Sequence, residues 1–310
     1  MKKLSYFIVA ATLVGGLMAC QNTVPVVDYP IQGVFTLQGT YDTYSHGLQG
    51  WIQEDEIGVY VTSEGVAQTN LQYTPTSYSV LEESPYVPGV FVYGDPVLTT
   101  TFKAVGQEAG FKQGEHNIYA YVPYSEGNQD YTAVKLPDLD AQEFQADVFV
   151  VDPKFCFAYA AIKGVKEYSA EVMDFGDFQT PFTQVTIPSP EFPESIVGGE
   201  KITKVVLSST IDLSCKDATI NLETGEIKGT MSKSIEVKLP EGGVEITAGF
   251  FISAPTFFLE IASNYETAQK AEYTLTMTIN GKEYSATGNP ATGGMASDGN
   301  VNFYGAFKFE

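Results

Sequence analysis

The chain contains no arginine. All 17 of its basic residues are lysines, set against 38 aspartates and glutamates in 310 residues, for a formal net charge of −21. Such an acidic surface lacks the basic footprint of a nucleic-acid binder, and an anionic bilayer surface would repel it. Histidine is nearly missing: His46 lies in a polar turn and His116 at a strand entrance, neither spaced to pair with another histidine or cysteine as a metal site. A Ser-His-Asp or Cys-His constellation therefore has little to draw on, and the two histidines read as incidental. Neighbouring carboxylates, Glu54 with Glu56 and Asp138 with Asp140, are expected by chance among so many acids and read as solvated turns rather than a glycosidase pair or a calcium site. No phosphate-cradling glycine loop precedes a helix. Neither catalytic residues nor residues for a cofactor or a metal are expected. Cys156 and Cys215 sit in apolar, strand-like contexts and read as small buried residues, in a compartment where a disulfide would be permitted.

The first twenty residues carry the clearest signal. Lys2 and Lys3 precede an uncharged apolar run from Leu4 to Met18, too short to span a membrane stably and built like the core of an export signal. It ends in Leu17-Met18-Ala19-Cys20, which resembles a bacterial lipoprotein box. A small residue before the scissile bond fits the peptidase, and the cysteine thiol carries the lipid. The expectation is cleavage between Ala19 and Cys20, lipidation at Cys20, and anchorage by acyl chains in the outer membrane. Loss of Lys2 and Lys3 takes the net charge from −21 to −23.

Beyond the signal, period-2 alternation dominates and helical periodicity is scarce. Tyr273 to Ile279 alternates apolar residues with threonine, and Asn280-Gly281 follows, the signature of a type I′ hairpin. A second hairpin is expected at Ala218 to Lys228, turning at Gly225. Further short strands are expected at 33–37, 57–61, 89–92, 100–105, 117–122, 147–151, 155–160, 204–207, 234–238, 245–252 and 257–261. Many short strands with Gly, Pro and Asn between them predict an all-β protein of sandwiches or barrels. Leu136-Pro-Asp-Leu-Asp140 reads as a polar connector at the end of a first domain, and the proline-studded stretch from Thr180 to Glu194 as a surface loop. The expected division is a signal at 1–19, one β-sandwich at 20–146 and a second at 147–310.

Trp51, Tyr73, Tyr78, Tyr86 and Tyr93 fall in or beside turn-rich segments. Rings there either pack against the body of the protein, their commoner fate, or stand exposed to stack on sugars or anchor a partner. Near the end, Val301, Phe303, Phe307 and Phe309 lie on one face of an alternating strand that follows a run of turn-forming residues at 288–300. It either closes the second sandwich or is donated to a partner's sheet.

Trp51-Ile-Gln-Glu-Asp-Glu-Ile57-Gly58-Val59-Tyr60, then Asn70-Leu-Gln-Tyr73, then Asn117-Ile-Tyr119-Ala120-Tyr121-Val122-Pro123-Tyr124-Ser125 resembles the N-terminal domain of the fimbrillins, the type V pilins of Bacteroidales. Ile202 to Leu207 and Ala218 to Gly225 resemble the second domain of that family. The resemblance implies two tandem transthyretin-like β-sandwiches, a lipoprotein route to the outer membrane and the cell surface, and no enzymatic activity. It implies other fimbrial subunits as partners, and a host or bacterial surface glycan or protein as a target of adhesion. Polymerising members are cut after an arginine in the first domain, freeing a strand. With no arginine, and with Lys103 the first basic residue after Cys20, the first strand is expected to stay paired and the protein to resemble an anchor, tip or accessory subunit. The rival expectation is a glycan-binding surface lipoprotein of a polysaccharide-uptake system.

Overall fold

The computed structural model describes residues 36–41, 50–63, 66–83, 91–110, 115–143, 157–165, 172–187, 192, 195–196, 199–246, 257–259, 268, 270–289, 301–302 and 307–309. Strands dominate it, as the alternation predicts, and among the described residues only Ala268 and Lys270 are helical.

The first eleven strands are β1 (Thr36–Tyr41), β2 (Ile57–Ser63), β3 (Val66–Pro75), β4 (Leu81–Glu83), β5 (Phe91–Tyr93), β6 (Thr99–Ala104), β7 (His116–Val122), β8 (Val134–Lys135), β9 (Ala141–Glu143), β10 (Ala158–Val165) and β11 (Val172–Phe178). Seven of them form one sheet in the order β10-β7-β2-β3-β6-β1-β11, while β4 and β5 make a separate hairpin. The two ends of the sheet meet: Tyr159 and Gln179 exchange backbone hydrogen bonds of 2.9 and 2.8 Å. All seven strands send apolar side chains into one core, among them Leu37, Val59, Tyr73, Phe102, Ala120, Ala160 and Met173. The sheet thus folds over on its own interior as a sandwich closed along one side.

The remaining strands are β12 (Thr183–Thr186), β13 (Lys201–Ser209), β14 (Ser214–Ile220), β15 (Ile227–Ser232), β16 (Ser234–Lys238), β17 (Val244–Glu245), β18 (Phe257–Leu259), β19 (Tyr273–Ile279), β20 (Lys282–Gly288) and β21 (Val301–Asn302). A larger sheet runs β20-β19-β13-β16-β9 with β17 also paired to β13; smaller ones run β18-β12-β21 and β15-β14-β8. The β19–β20 hairpin turns at Asn280 and Gly281 with φ of 47° and 79°, as a type I′ turn requires. Its inward residues join Val205, Leu207, Ile235 and Val185 in a second core. Its outward threonines pair with hydroxyls across the strands, Thr276 with Ser285 at 2.9 Å. At the other predicted hairpin, Gly225 has φ of 74°, and the side chain of Asn221 accepts the amides of Glu223 and Thr224.

A third cluster joins the two. In β2 and β7 both faces are buried, so the strands read as nearly unbroken apolar runs instead of alternating. Ile57, Val59 and Val61 point into the first core, while Tyr60, Tyr119 and Tyr121 point the other way, onto Cys215, Ala218 and Ile220 of β14, with Phe157, Phe182 and Leu139.

Three expectations need correction. A boundary at residue 146 does not separate the sheets, because β10 and β11 belong to the first sheet while β8 and β9 pair with β14 and β16. Among the described strands the chain therefore crosses between the two halves three times. Residues 136–140 are not a solvated connector: Leu136 and Leu139 are buried in the joining cluster, and their amides donate to Ala218 O and Cys215 O, both at 2.9 Å. The stretch after Thr180 is not a surface loop throughout, since β12 pairs with β18 and β21 and buries Val185, with Phe182 and Ile187 buried beside it. Pro181 precedes this strand without entering its ladder.

Candidate functional site

On the fimbrillin resemblance, β1 is the strand whose release would matter for assembly, so the slot that holds it is the candidate site. It is an interior strand, antiparallel to β6 with Leu37 opposite Phe102, and parallel to β11 with Leu37 opposite Met173. Ladder bonds on both sides each contribute about 0.5–1.5 kcal/mol net, and burial of Leu37 about 1.5–3 kcal/mol. On the outer face, Gln38 Nε2 donates to Asp174 Oδ2 at 2.9 Å, and the hydroxyls of Thr40 and Thr99 lie 3.0 Å apart.

Below β1 lies an aromatic floor. The indole of Trp51 meets the rings of Phe102 and Phe178 edge-on, with centroids 5.0 and 5.3 Å away. Gly39 rests directly on it: a Cβ there would sit 2.5 Å from Phe178 Cε2 and 3.4 Å from Phe102 Cε2. β11 has an extra residue opposite, between Asp174 and Asp177, where Gly176 takes φ of 65°. At that bulge Gly39 has no partner on β11, and Trp51 Nε1 donates to its carbonyl oxygen at 3.3 Å.

Trp51 is itself held by a knot of backbone bonds. Its amide donates to Val97 O at 2.9 Å and its carbonyl accepts Ser79 N at 2.7 Å. One residue on, Ile52 N donates to Asp55 Oδ2 at 2.8 Å while Asp55 N returns to Ile52 O. Asp55 is 4% exposed, and its carboxyl is pushed up to about 7, chiefly by burial; the Ile52 amide pulls it down and the charge of Glu54 adds to the rise.

The residues of the fimbrillin resemblance build a second lock, on the opposite face of β2 and β7. Gly58 has no room for a side chain, which would strike the ring of Tyr121. The Tyr121 hydroxyl donates to Asn70 Oδ1 at 2.9 Å and accepts Ser125 N at 3.0 Å, and Asn70 Nδ2 donates to Ser125 O at 2.8 Å. Asn70 does this from a positive φ of 50°. Tyr60 donates to Asn128 O at 2.9 Å, and Tyr131 stacks flat on Tyr119, 4.6 Å between centroids. These groups fix the turn after β7 and the joining cluster; they are structural.

The other expected sites fare as follows. Trp51 and Tyr73 are 0% and 5% exposed, so neither is a surface platform; the Tyr73 hydroxyl accepts Ala109 N at 2.7 Å. Tyr78 is half-buried against the first core. Phe307 and Phe309 lie in the second core at 1% and 5% exposure, Phe309 stacked on Phe192, and Val301 pairs in parallel with Val185. In this structure the terminal segment closes its own sandwich rather than standing free for donation, because its phenylalanines find apolar company there. Ala19, Cys20, His46, Tyr86, Cys156 and Phe303 lie outside the described residues, as does the side chain of Tyr93. His116 is buried at the start of β7, and no cluster of His, Cys, Asp or Glu suited to a metal occurs among the described residues. The sequence offered no signal that Gly39, Phe102 and Phe178 converge with Trp51, since they come from distant strands.

Residues 44–302 match the profile of the fimbrillin-like family. The chain belongs to the fimbrillin-like family. Among solved structures it is similar to a candidate cell adhesion protein of Bacteroides uniformis, 18% identical over 90% of each chain with a TM-score of 0.49. It is also similar to one from Bacteroides ovatus, 16% identical over 90% of this chain and 95% of the other, TM-score 0.45. A candidate adhesin of Bacteroides ovatus matches at 13% identity over 93% and 98%, TM-score 0.41. None of the curated proteins matches.

Proposed function

We propose that this fimbrillin-like protein is a non-enzymatic, lipid-anchored cell-surface subunit of fimbria assembly and adhesion, serving as an anchor, tip or accessory subunit and not as a polymerising stalk. Its partners on this reading are outer-membrane lipid through Cys20, other fimbrial subunits, and a surface glycan or protein. The observation that carries it is the position of β1. The strand is interior, bonded on both sides and seated on the Trp51 floor, in a chain with no arginine. Lys103, the first basic residue after Cys20, is in β6, directly beside the slot, so a cut there would break the strand that holds β1 rather than free it. Glycan recognition by a cluster of loop aromatics loses support from the burial of Trp51 and Tyr73.

The test is the N-terminus of the protein recovered from cells, mapped by mass spectrometry. A start at Cys20 is expected. A start between residues 30 and 60 means that another protease removes the strand, and the stalk role then becomes the better reading.

A further inference from the structure

The strand β15 stands at the edge of the β15-β14-β8 sheet, and four of its six residues, Lys228 to Met231, are exposed. Its backbone phase is fixed by the bonds that flank it. The carbonyls of Glu226 and Ser232 accept Asn221 N at 2.9 Å and Leu213 N at 2.7 Å, on the β14 side. Because successive residues of a strand alternate, the backbone groups of Ile227, Gly229 and Met231 turn the other way, toward the open edge.

The same three residues share a side-chain face. Met231 is opposite Cys215 and Ile227 opposite Ile220, both buried in the joining cluster. Ile227 packs partly against that cluster, while Met231 is still 36% exposed. Between them Gly229 lies so close to β14 that a Cβ would come within 2.5 Å of Ala218 Cβ. The outward hydrogen-bonding groups alternate as in any edge strand, and what singles out Gly229 is the apolar pair at equal spacing on either side of it, Ile227 and Met231.

We propose that β15 is a homotypic docking edge, which pairs antiparallel with β15 of a second copy about a two-fold axis at Gly229. In that register Gly229 meets its own equivalent, and Ile227 of each copy lies opposite Met231 of the other, on one face and with ladder bonds between them. Lys228 falls opposite Thr230, so no like charges oppose directly, and Glu226 already holds Lys228 at 3.3 Å. A heterologous strand would satisfy the backbone equally well; a second copy in this register also sets Ile227 against Met231 at both ends and a lysine against a threonine between them. The edge strand β20 offers a contrast. It carries Lys282 and Glu283, with Lys282 Nζ 4.6 Å over the Tyr284 ring, and has no such centre. The contact is small, so the association is weak and concentration-dependent.

Sedimentation velocity on residues 20–310 carrying Cys20→Ser, over a range of concentrations, tests this. A reversible monomer–dimer equilibrium is expected. Met231→Lys, at an exposed position, should weaken it by about tenfold or more without changing the melting temperature. Ile227→Glu combined with Met231→Lys should restore it, since glutamate then faces lysine twice across the axis. Lys228→Cys with Thr230→Cys should give a disulfide-linked dimer on oxidation, because only this register opposes the two positions. A monomer at every concentration, or a dimer indifferent to Met231→Lys and not cross-linked by the cysteine pair, overturns the proposal. If Ile227→Glu unfolds the protein, Met231→Lys and the cysteine pair still decide it.

Discussion

Trp51 donates its indole N–H to the carbonyl oxygen of Gly39 at 3.3 Å, across the one position where β1 lacks a partner on β11. Gly39 stays paired with Thr100 of β6 but has no partner on β11, and the indole bond ties the strand down at that position. Trp51→Ala should destabilise the first sandwich by about 3–5 kcal/mol through the cavity it leaves. Trp51→Phe should cost less overall yet raise amide exchange selectively in 36–41. Hydrogen exchange followed by mass spectrometry reads both, with 273–279 as the internal control.

Gly58→Ala pushes a methyl group into the ring of Tyr121 and should cost about 1–3 kcal/mol as overpacking. Tyr121→Phe keeps the ring but leaves Asn70 Oδ1 and Ser125 N without the hydroxyl, at a cost of about 1–3 kcal/mol. The two effects should be strongly non-additive, because both act on one side chain. Denaturant midpoints of the single and double variants measure this.

Asp55 should make stability rise as the solution is acidified. Its carboxyl binds a proton in the folded protein up to about 7 and in the unfolded chain only near 3.8. Between those values the folded state holds the extra proton, so stability grows as pH falls through the window, on the order of 1 kcal/mol per pH unit, and levels off outside it. Asp55→Asn, which keeps an oxygen for the Ile52 amide, should remove this component from the difference between the two pH profiles.

Deleting residues 300–310 removes Phe307 and Phe309 from the second core, where each truncation to alanine alone would cost about 3–5 kcal/mol. The second sandwich should melt well below the intact protein in calorimetry. An unchanged melting temperature together with lost co-purification of fimbrial subunits would restore the donor-strand role to the segment.

Cys20→Ala should move the protein from the membrane fraction to a soluble pool and abolish incorporation of a fatty-acid analogue. Membrane association that survives the change, without labelling of the parent protein, would remove lipidation from the proposed function.

What the sequence showed plainly was local. The threonine alternation of 273–279 and the Asn280-Gly281 turn specify a hairpin from a few neighbouring residues, and the structure has that hairpin in that register. Where the fold depends on distant partners, the pattern misled. β12 lies among prolines and reads as loop, but Val185 is buried because β18 and β21 flank it. Leu136 and Leu139 look like punctuation in a polar connector, yet β14 covers them. β11 carries Asp174, Gly176 and Asp177, which weaken any strand signal, and is held by its parallel pairing with β1. Trp51 follows a turn and looks available for a ligand; only the convergence of Phe102 and Phe178 explains why it is the floor of a slot.

The threefold crossing of the chain between its halves bears on how such a protein can diversify. Where two lobes are strung end to end, recombination can trade one for another and leave both cores intact. Here a splice near residue 146 would deliver β8 and β9 with one parent and the β14 and β16 they pair with from the other, and would separate β7 from β10 in the same event. Change is easier at exposed turn positions that no second strand must match, such as Glu223 between β14 and β15, while the body is inherited whole.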